Sequence, residues 1–239
     1  MSMVIYISPS NQPHNRYAYG DTNEKEQMEI LAGYIKRILD HEYLCTTRIA
    51  TTSLSINPEG RPREAKSLNS DVYLALHSNA GGRGQASGAM AFYYPGDTKS
   101  KLLAENIVRE LNEICPIRSN RSSPVLSGMA PFNGQGLAEV RNPVTYGMIT
   151  VLAETDFHDN PQTAEWIVKN HESIARAYVA ALVKSFDIKP KQLDQAELAK
   201  TAPEKLYKVQ LGAFRNRANA DFLLERLRRA GFDGYIKYE

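Results

Sequence analysis

Apolar residues along the chain follow two rhythms: short strand-length runs, and longer stretches where they recur every three or four positions. The runs at 4–8, 44–50, 72–76, 89–94 and 148–152 predict strands, and 72–76 is apolar almost throughout, as a strand buried on both faces should be. The periodic stretches at 24–40, 99–114 and 164–186 predict helices. The first carries Met28, Leu31, Tyr34, Ile35, Ile38 and Leu39 on one face, and the last carries Trp166, Ile167, Ile174, Ala177, Tyr178, Ala181 and Leu182. A shorter helix is expected over 63–68, after Pro58, Gly60 and Pro62. Asn23 stands where an N-cap belongs, with Glu26 at the capping-box position. Strands alternating with long helices predict an α/β domain with a twisted, largely parallel or mixed sheet flanked by helices. Such sheets carry their sites where strands end and loops begin.

The pattern changes at residue 187. Residues 187–204 hold Pro190 and Pro203 among many Lys, Asp and Gln and few large apolar side chains, which reads as a linker. A strand at 207–214, a helix at 219–230 and a strand at 234–238 follow, a small βαβ unit. The expected division is an α/β domain over 1–187, a linker over 188–204 and a C-terminal unit over 205–239. A strand-helix-strand piece of about 35 residues buries little core alone.

Composition narrows the function classes. With 239 residues, 42% of them apolar and 23% charged, the chain has the make-up of a soluble globular protein. A net charge of +2 is too small to argue for nucleic acid. The two cysteines, Cys45 and Cys115, form no CxxC pattern, so two buried free thiols are expected rather than a thiolate metal site or a disulfide framework. The first residues show no basic leader, long apolar core or small-residue cleavage site, and the apolar runs elsewhere are too short to span a bilayer. The expectation is a protein made in the cytoplasm without a signal peptide, with no membrane insertion.

Four residues stand out for chemistry. His77 closes the run Leu74-Ala75-Leu76 and precedes Ser78-Asn79-Ala80-Gly81-Gly82, an imidazole at a strand end followed by small residues that admit a substrate. A histidine hydrogen-bonded at the rim of a sheet would look the same. His14 lies in a long polar loop after the first strand, Glu24 opens the first long helix, where an acid also suits the helix dipole, and Glu154 follows the apolar run Val151-Leu152-Ala153. A carboxylate there is costly unless it is used or paired, and a salt bridge at a strand end is the alternative. His41, His158 and His171 lie in polar or helical surroundings and read as surface residues. Two histidines and two glutamates are the minimum for zinc-assisted hydrolysis: three ligands, an open position for water and a proton shuttle.

Four ordered blocks then resemble the zinc-dependent N-acetylmuramoyl-L-alanine amidases of the type 3 fold, a family that includes sporulation autolysins and phage endolysins. They are the first strand with its histidine loop, Asn23-Glu24 at the start of a helix, Leu76-His77-Ser78-Asn79-Ala80, and Val151-Leu152-Ala153-Glu154 through Phe157 and Asn160. The resemblance spans residues 3–186. It implies that His14, Glu24 and His77 bind zinc, that Glu154 is the catalytic carboxylate, and that Ser78 and Asn79 shape the cleft. It also implies peptidoglycan as the partner and cleavage of the amide between muramic acid and L-alanine, reached after lysis or by non-standard export. One departure is local: most members hold the first histidine in a glycine-flanked motif directly after the strand, whereas here Ser8-Pro9-Ser10-Asn11-Gln12-Pro13 intervenes. Tyr207-Lys208-Val209-Gln210-Leu211-Gly212-Ala213-Phe214, with Asn219-Ala220 and Ala230-Gly231-Phe232, resembles part of a SPOR domain, a glycan-binding module, and three fates fit that partial module: pairing with a second copy in a homodimer, packing on the first domain, or disorder. Two other functions fit the same residues: a catalytically inactive wall-binding or regulatory protein on the same fold, and a zinc peptidase cutting within the stem peptide.

Overall fold

The computed structural model describes residues 2–81, 83–191, 211–229 and 236. Each expected strand of the first 187 residues forms, and the five are joined by a sixth. In chain order β1 is Met3–Pro9, β2 Cys45–Ile49, β3 Val72–Asn79, β4 Met90–Tyr93, β5 Val125–Ser127 and β6 Ile149–Phe157. They make one sheet in the order β2-β1-β3-β6-β4-β5. β2, β1, β3 and β6 run parallel, β4 is antiparallel to β6, and β5 is parallel to β4. The mixed α/β architecture is the one the hydrophobic pattern predicts.

Two apolar layers cover the sheet. On one face Ile5, Ile7, Leu74, Leu76, Val151 and Ala153 pack against three helices: α1 (Glu24–Glu42), α3 (Thr98–Ile114) and α6 (His171–Phe186). On the other, a smaller cluster of Tyr6, Tyr73, Ala75 and Leu152 lies beneath two short helices, α2 (Arg61–Ser67) and α4 (Ala138–Val144). The cap on α1 is as the sequence indicates: Asn23 accepts from the backbone N–H of Glu26 at 3.1 Å.

Two differences have physical causes. The stretch 164–186 is two helices, α5 (Pro161–Lys169) and α6, because Asn170 leaves helical geometry at φ −131° and its side chain donates to Trp166 O at 2.8 Å. The apolar period continues across the break because both helices face the same core. β6 runs five residues past the apolar run through Glu154, Thr155 and Asp156, and tertiary bonds hold the last two: Thr155 Oγ1 lies 2.9 Å from the Tyr178 hydroxyl, and Asp156 Oδ1 accepts from the Gly88 and Phe157 N–H groups. Cys45 and Cys115 are free, as expected, but half-buried.

Residues 1–191 form one unit and 192–239 a second. Ile188–Lys191, read as linker, is tied into the first: Leu44 N donates to Lys189 O and Lys191 N to Glu42 O, each at 2.8 Å. In the second unit α7 (Arg217–Arg229) begins two residues earlier than expected, capped by Asn216, whose Oδ1 accepts from Ala218 N at 2.9 Å. Of the two expected strands there, 211–214 has no regular structure, and 207–210 and all of 234–238 except 236 lie outside the described residues. Among the described residues, no helix is long and apolar enough to cross a membrane.

Arg61 fastens the end of β1 to the loop before α2. It is 1% exposed, and its guanidinium donates to Ser8 Oγ (2.8 Å) and to the carbonyls of Pro9 (2.7 Å), Leu54 (3.1 Å) and Thr52 (3.3 Å). Gly60 before it has no room for a side chain, since a Cβ would fall 2.0 Å from Ser55 O. Replacing Arg61 with Met strands several buried acceptors. The expected loss is about 3 kcal/mol, and thermal unfolding followed by circular dichroism should show a midpoint roughly 10 °C lower.

Candidate active site

Parallel strands put the ends of β1, β3 and β6 on one edge of the sheet. Because β1 sends its chain first to β2 on one side and β3 then returns on the other, the crevice between β1 and β3 is the topological switch point, where open α/β sheets bind ligands. His77 stands at that edge on β3, 9% exposed. Its register partner on β6 is Glu154, and Glu154 in turn faces Met90 on β4. Directly paired residues point to the same face, so His77, Glu154 and Met90 form a row across three strands.

Two more carboxylates close on the imidazole. Glu24, buried at the first turn of α1, places Oε1 2.9 Å from His77 Nδ1, while Glu139, buried on α4, places Oε2 2.9 Å from Nε2. Asn15 donates to Glu24 Oε2 at 2.6 Å, and its carbonyl accepts from Glu24 N at 2.9 Å, which fixes the start of α1 against the loop after β1. Gln12 Nε2 lies 3.3 Å from His77 Nδ1. Residues on either side of His14 thus touch the Glu24–His77 pair. His14 itself is exposed in the turn and makes no hydrogen bond or ion pair among the described residues. The structure brings Glu24, His77 and Glu154 together and adds Glu139, while the His14 side chain stays outside their hydrogen-bonded cluster.

Ser78 turns away from this row. Its Oγ accepts from the Tyr17 hydroxyl at 2.8 Å and lies 3.0 Å from His158 Nδ1, and Tyr17 stacks on the His158 ring with centroids 5.2 Å apart. Asn79 donates to Met90 Sδ at 3.5 Å, and its Oδ1 accepts from Ala80 N. His158, read from the sequence as a surface residue, is 3% exposed, and the stacking and hydrogen bonds to Ser78 hold it inside. His171 is half-buried, its Nε2 2.8 Å from Gln27 Oε1, and burial lowers its pKa to about 4. A pocket of about 350 Å³ lined by Met90, Asn120, Arg121, Ser122, Ser123 and Leu126 adjoins the row. A larger one of about 460 Å³ beside α5 includes none of these acids or His77. The chemistry, not the volume, locates the site.

Charge is the marked property of the cluster. Burial raises the Glu154 pKa from 4.5 to about 7, with Glu24 and Glu139 adding to the rise and His77 opposing it. Burial also opposes a charge on His77, but its hydrogen bonds to Glu139 and Glu24 outweigh that and raise its pKa well above 6.5. Burial disfavours charge on Glu24 and Glu139 too, yet hydrogen bonding to His77, to Asn15 for Glu24 and to Ser8 for Glu139 brings both below 4.5. Glu154 Oε2 is buried with no hydrogen-bond partner. Three carboxylates against one imidazole are short of positive charge. No three His, Cys, Asp or Glu among the described residues are spaced to hold a metal ion as they stand, and Nδ1 and Glu24 touch each other directly. The donor types nonetheless suit a divalent cation of the zinc class: imidazole nitrogen, carboxylate oxygen and one unpartnered carboxylate oxygen beside them.

Glu139 and its supports were not legible in the sequence. It sits in Leu137-Ala138-Glu139-Val140-Arg141-Asn142-Pro143, too short for a helical period and interrupted by proline. The one local signal is an acid inside an otherwise apolar turn.

Comparison with known proteins identifies the family and the fold. A family model described as N-acetylmuramoyl-L-alanine amidase matches residues 5–184, and a SPOR domain model matches 203–239. N-acetylmuramoyl-L-alanine amidase CwlM of Bacillus licheniformis is 28% identical over 239 residues, covering 98% of this chain and 84% of that protein. The sporulation-specific N-acetylmuramoyl-L-alanine amidase of Bacillus subtilis (strain 168) is 25% identical over 240 residues, covering 97% and 83%. Among solved structures, an N-acetylmuramoyl-L-alanine amidase from Clostridium difficile 630 superposes with a TM-score of 0.65 at 19% identity, over 78% of this chain and 97% of that one. The catalytic domain of CwlV from Bacillus (Paenibacillus) polymyxa var. colistinus gives 0.62 at 16%, over 78% and 99%. At these identities the structures speak to the fold.

The raised pKa of Glu154 sets a sign for stability without metal. Below 4.5 the carboxyl is neutral folded or unfolded; between 4.5 and about 7 the unfolded chain releases a proton that the folded protein must keep, so stability falls across that window and levels off above it. In chelator-treated protein, Glu154→Gln should raise the melting temperature above about pH 7 and leave it unchanged below 4.5. The gain is at most about 3 kcal/mol. Melting curves at the two extremes check it.

Proposed function

The chain belongs to the N-acetylmuramoyl-L-alanine amidase family, and from that premise we propose that it hydrolyses the amide between muramic acid and the first L-alanine of peptidoglycan stem peptides with one zinc ion. The observation that carries the reading is Glu154: a carboxylate oxygen buried without a partner, one strand from an imidazole already flanked by two acids. His77, Glu24 and His14 would hold the metal. Glu24 and His77 are in contact at the strand edge, and His14 stands on the loop whose Gln12 and Asn15 reach both of them.

When bound, zinc supplies Lewis acidity toward a water molecule and toward the scissile carbonyl. The protein's own groups do the rest. Glu154 is positioned to take the proton of the attacking water on its unpartnered oxygen and to pass it to the leaving amine nitrogen. A carboxyl whose pKa stands near 7 can both accept and release a proton at neutral pH. The row from His77 through Glu154 to Met90 lets a glycan-linked peptide lie across the strand ends. The C-terminal match to a SPOR domain supports peptidoglycan as the partner, with the second unit holding glycan. The nonenzymatic alternative leaves the lone Glu154 oxygen unexplained, since a binding protein gains nothing from that cost.

Glu154→Ala should lower the rate of amide hydrolysis at least about a thousandfold while leaving zinc content at one per chain. His77→Ala should lose the zinc. The new amino terminus released from purified peptidoglycan decides the bond: L-alanine for the amidase, a residue further along the stem for a peptidase. Unchanged turnover in zinc-free protein, or an intact rate in Glu154→Ala, would refute the reading.

A further inference from the structure

His77 is the only residue of the cluster with both of its hydrogen-bonding atoms against acids, and the two acids are built differently. Glu24 faces Nδ1 from the rim, beside the loop carrying Gln12 and Asn15. Glu139 faces Nε2 from α4; both acids are buried, and what separates them is what holds each one. The other oxygen of Glu139 is already engaged: Ser8 donates to Oε1 at 2.5 Å, the Tyr73 hydroxyl lies 3.0 Å from the same oxygen, and the Arg61 guanidinium backs Ser8 at 2.8 Å. The helix that carries Glu139 is pinned as well, through Thr150 Oγ1 donating to Val140 O at 2.9 Å and Asn142 Nδ2 donating to Ile56 O at 3.0 Å. Glu139 has neither room nor a spare oxygen for substrate.

An ionised carboxylate only accepts hydrogen bonds. Glu139, held from behind, keeps a hydrogen on Nε2, so a metal that takes the place of the Nδ1–Glu24 hydrogen bond meets the Nδ1 lone pair. We propose that Glu139 is the positioning residue of the metal site: with Ser8, Tyr73 and Arg61 behind it, it selects the His77 tautomer and ring orientation that present Nδ1 to the metal. The proposal rests on the reading of His77 as a zinc ligand. It assigns Glu139 no contact with metal or substrate. Outer carboxylates of this kind orient ligating histidines, and their loss typically weakens metal binding about 10- to 100-fold.

Two measurements on the full-length chain test it, neither relying on turnover. In zinc-loaded protein with ¹⁵N-labelled histidine, the His77 resonance, identified by its absence from His77→Gln, should show a proton on Nε2 and metal on Nδ1. Metal on Nε2 would overturn the proposal without any variant having to fold. By competition with a chromophoric chelator, Glu139→Ala should bind zinc about 10- to 100-fold more weakly, Tyr73→Phe more weakly by a smaller factor, and Glu139→Gln, which keeps an acceptor oxygen, should recover most of the loss. Parent-like affinity in a folded Glu139→Ala, alongside loss of zinc in Glu24→Ala, would overturn the role of Glu139 and leave the reading of the site intact. A parent chain that takes up no zinc would overturn both.

Discussion

Three carboxylates and one imidazole share a water-poor corner at the carboxyl edge of the sheet, and this excess of negative charge is the constraint on which the local structure depends. Removing a charge from water costs several kcal/mol unless it is paired or hydrogen-bonded. Glu24 and Glu139 meet that cost with His77 and with donors from Asn15 and Ser8. Glu154 has no such help at Oε2. A fold selected for stability alone would have put a glutamine or an aliphatic side chain at that position. The arrangement makes sense where a cation completes the charge balance and a reaction uses the remaining oxygen.

The scaffold explains how residues so far apart in the chain come to share that corner. β1, β3 and β6 are adjacent and parallel, so residues just past their centres arrive at the same edge whatever their spacing in sequence. α1 begins where the loop from β1 ends, with the Asn15 carbonyl on Glu24 N, so an acid in the first helical turn is aimed at the end of β3. The smaller helical layer, α2 and α4, adds polar bonds to a small apolar cluster. That side carries Arg61, Ser8, Tyr73 and Glu139.

What the sequence made legible follows from the range over which each signal acts. The strands and long helices are announced by local periodicity, and the Asn23 cap by two residues three apart. His77 and Glu154 were visible because each ends an apolar run, so a polar group there needs a reason. Glu139 was not, because its reason for being buried is a histidine 62 residues away. The polar end of β6 was hidden in the same way: Thr155 and Asp156 look like loop residues until Tyr178 and the Gly88 N–H are brought against them. His158 looked like a surface residue for want of a visible partner, since Tyr17 and Ser78 lie 80 residues or more upstream. Local chemistry revealed the elements; long-range hydrogen bonds decided which polar residues lie inside.

Two glutamates beside one imidazole still call for different roles, and hydrogen-bond satisfaction separates them better than position does. Glu139 is saturated, with Ser8 and Tyr73 on one oxygen and His77 on the other. A proton placed on it would break at least one of those bonds, so it is a poor carrier and a good anchor. Glu154 is the reverse. Its Oε2 loses nothing on protonation, and its pKa of about 7 lies where uptake and release are nearly balanced. Pairs of acids pushed apart by their surroundings are how one fold runs fixed and mobile charge side by side. The environment, more than residue type or spacing, makes one glutamate structural and the other chemical.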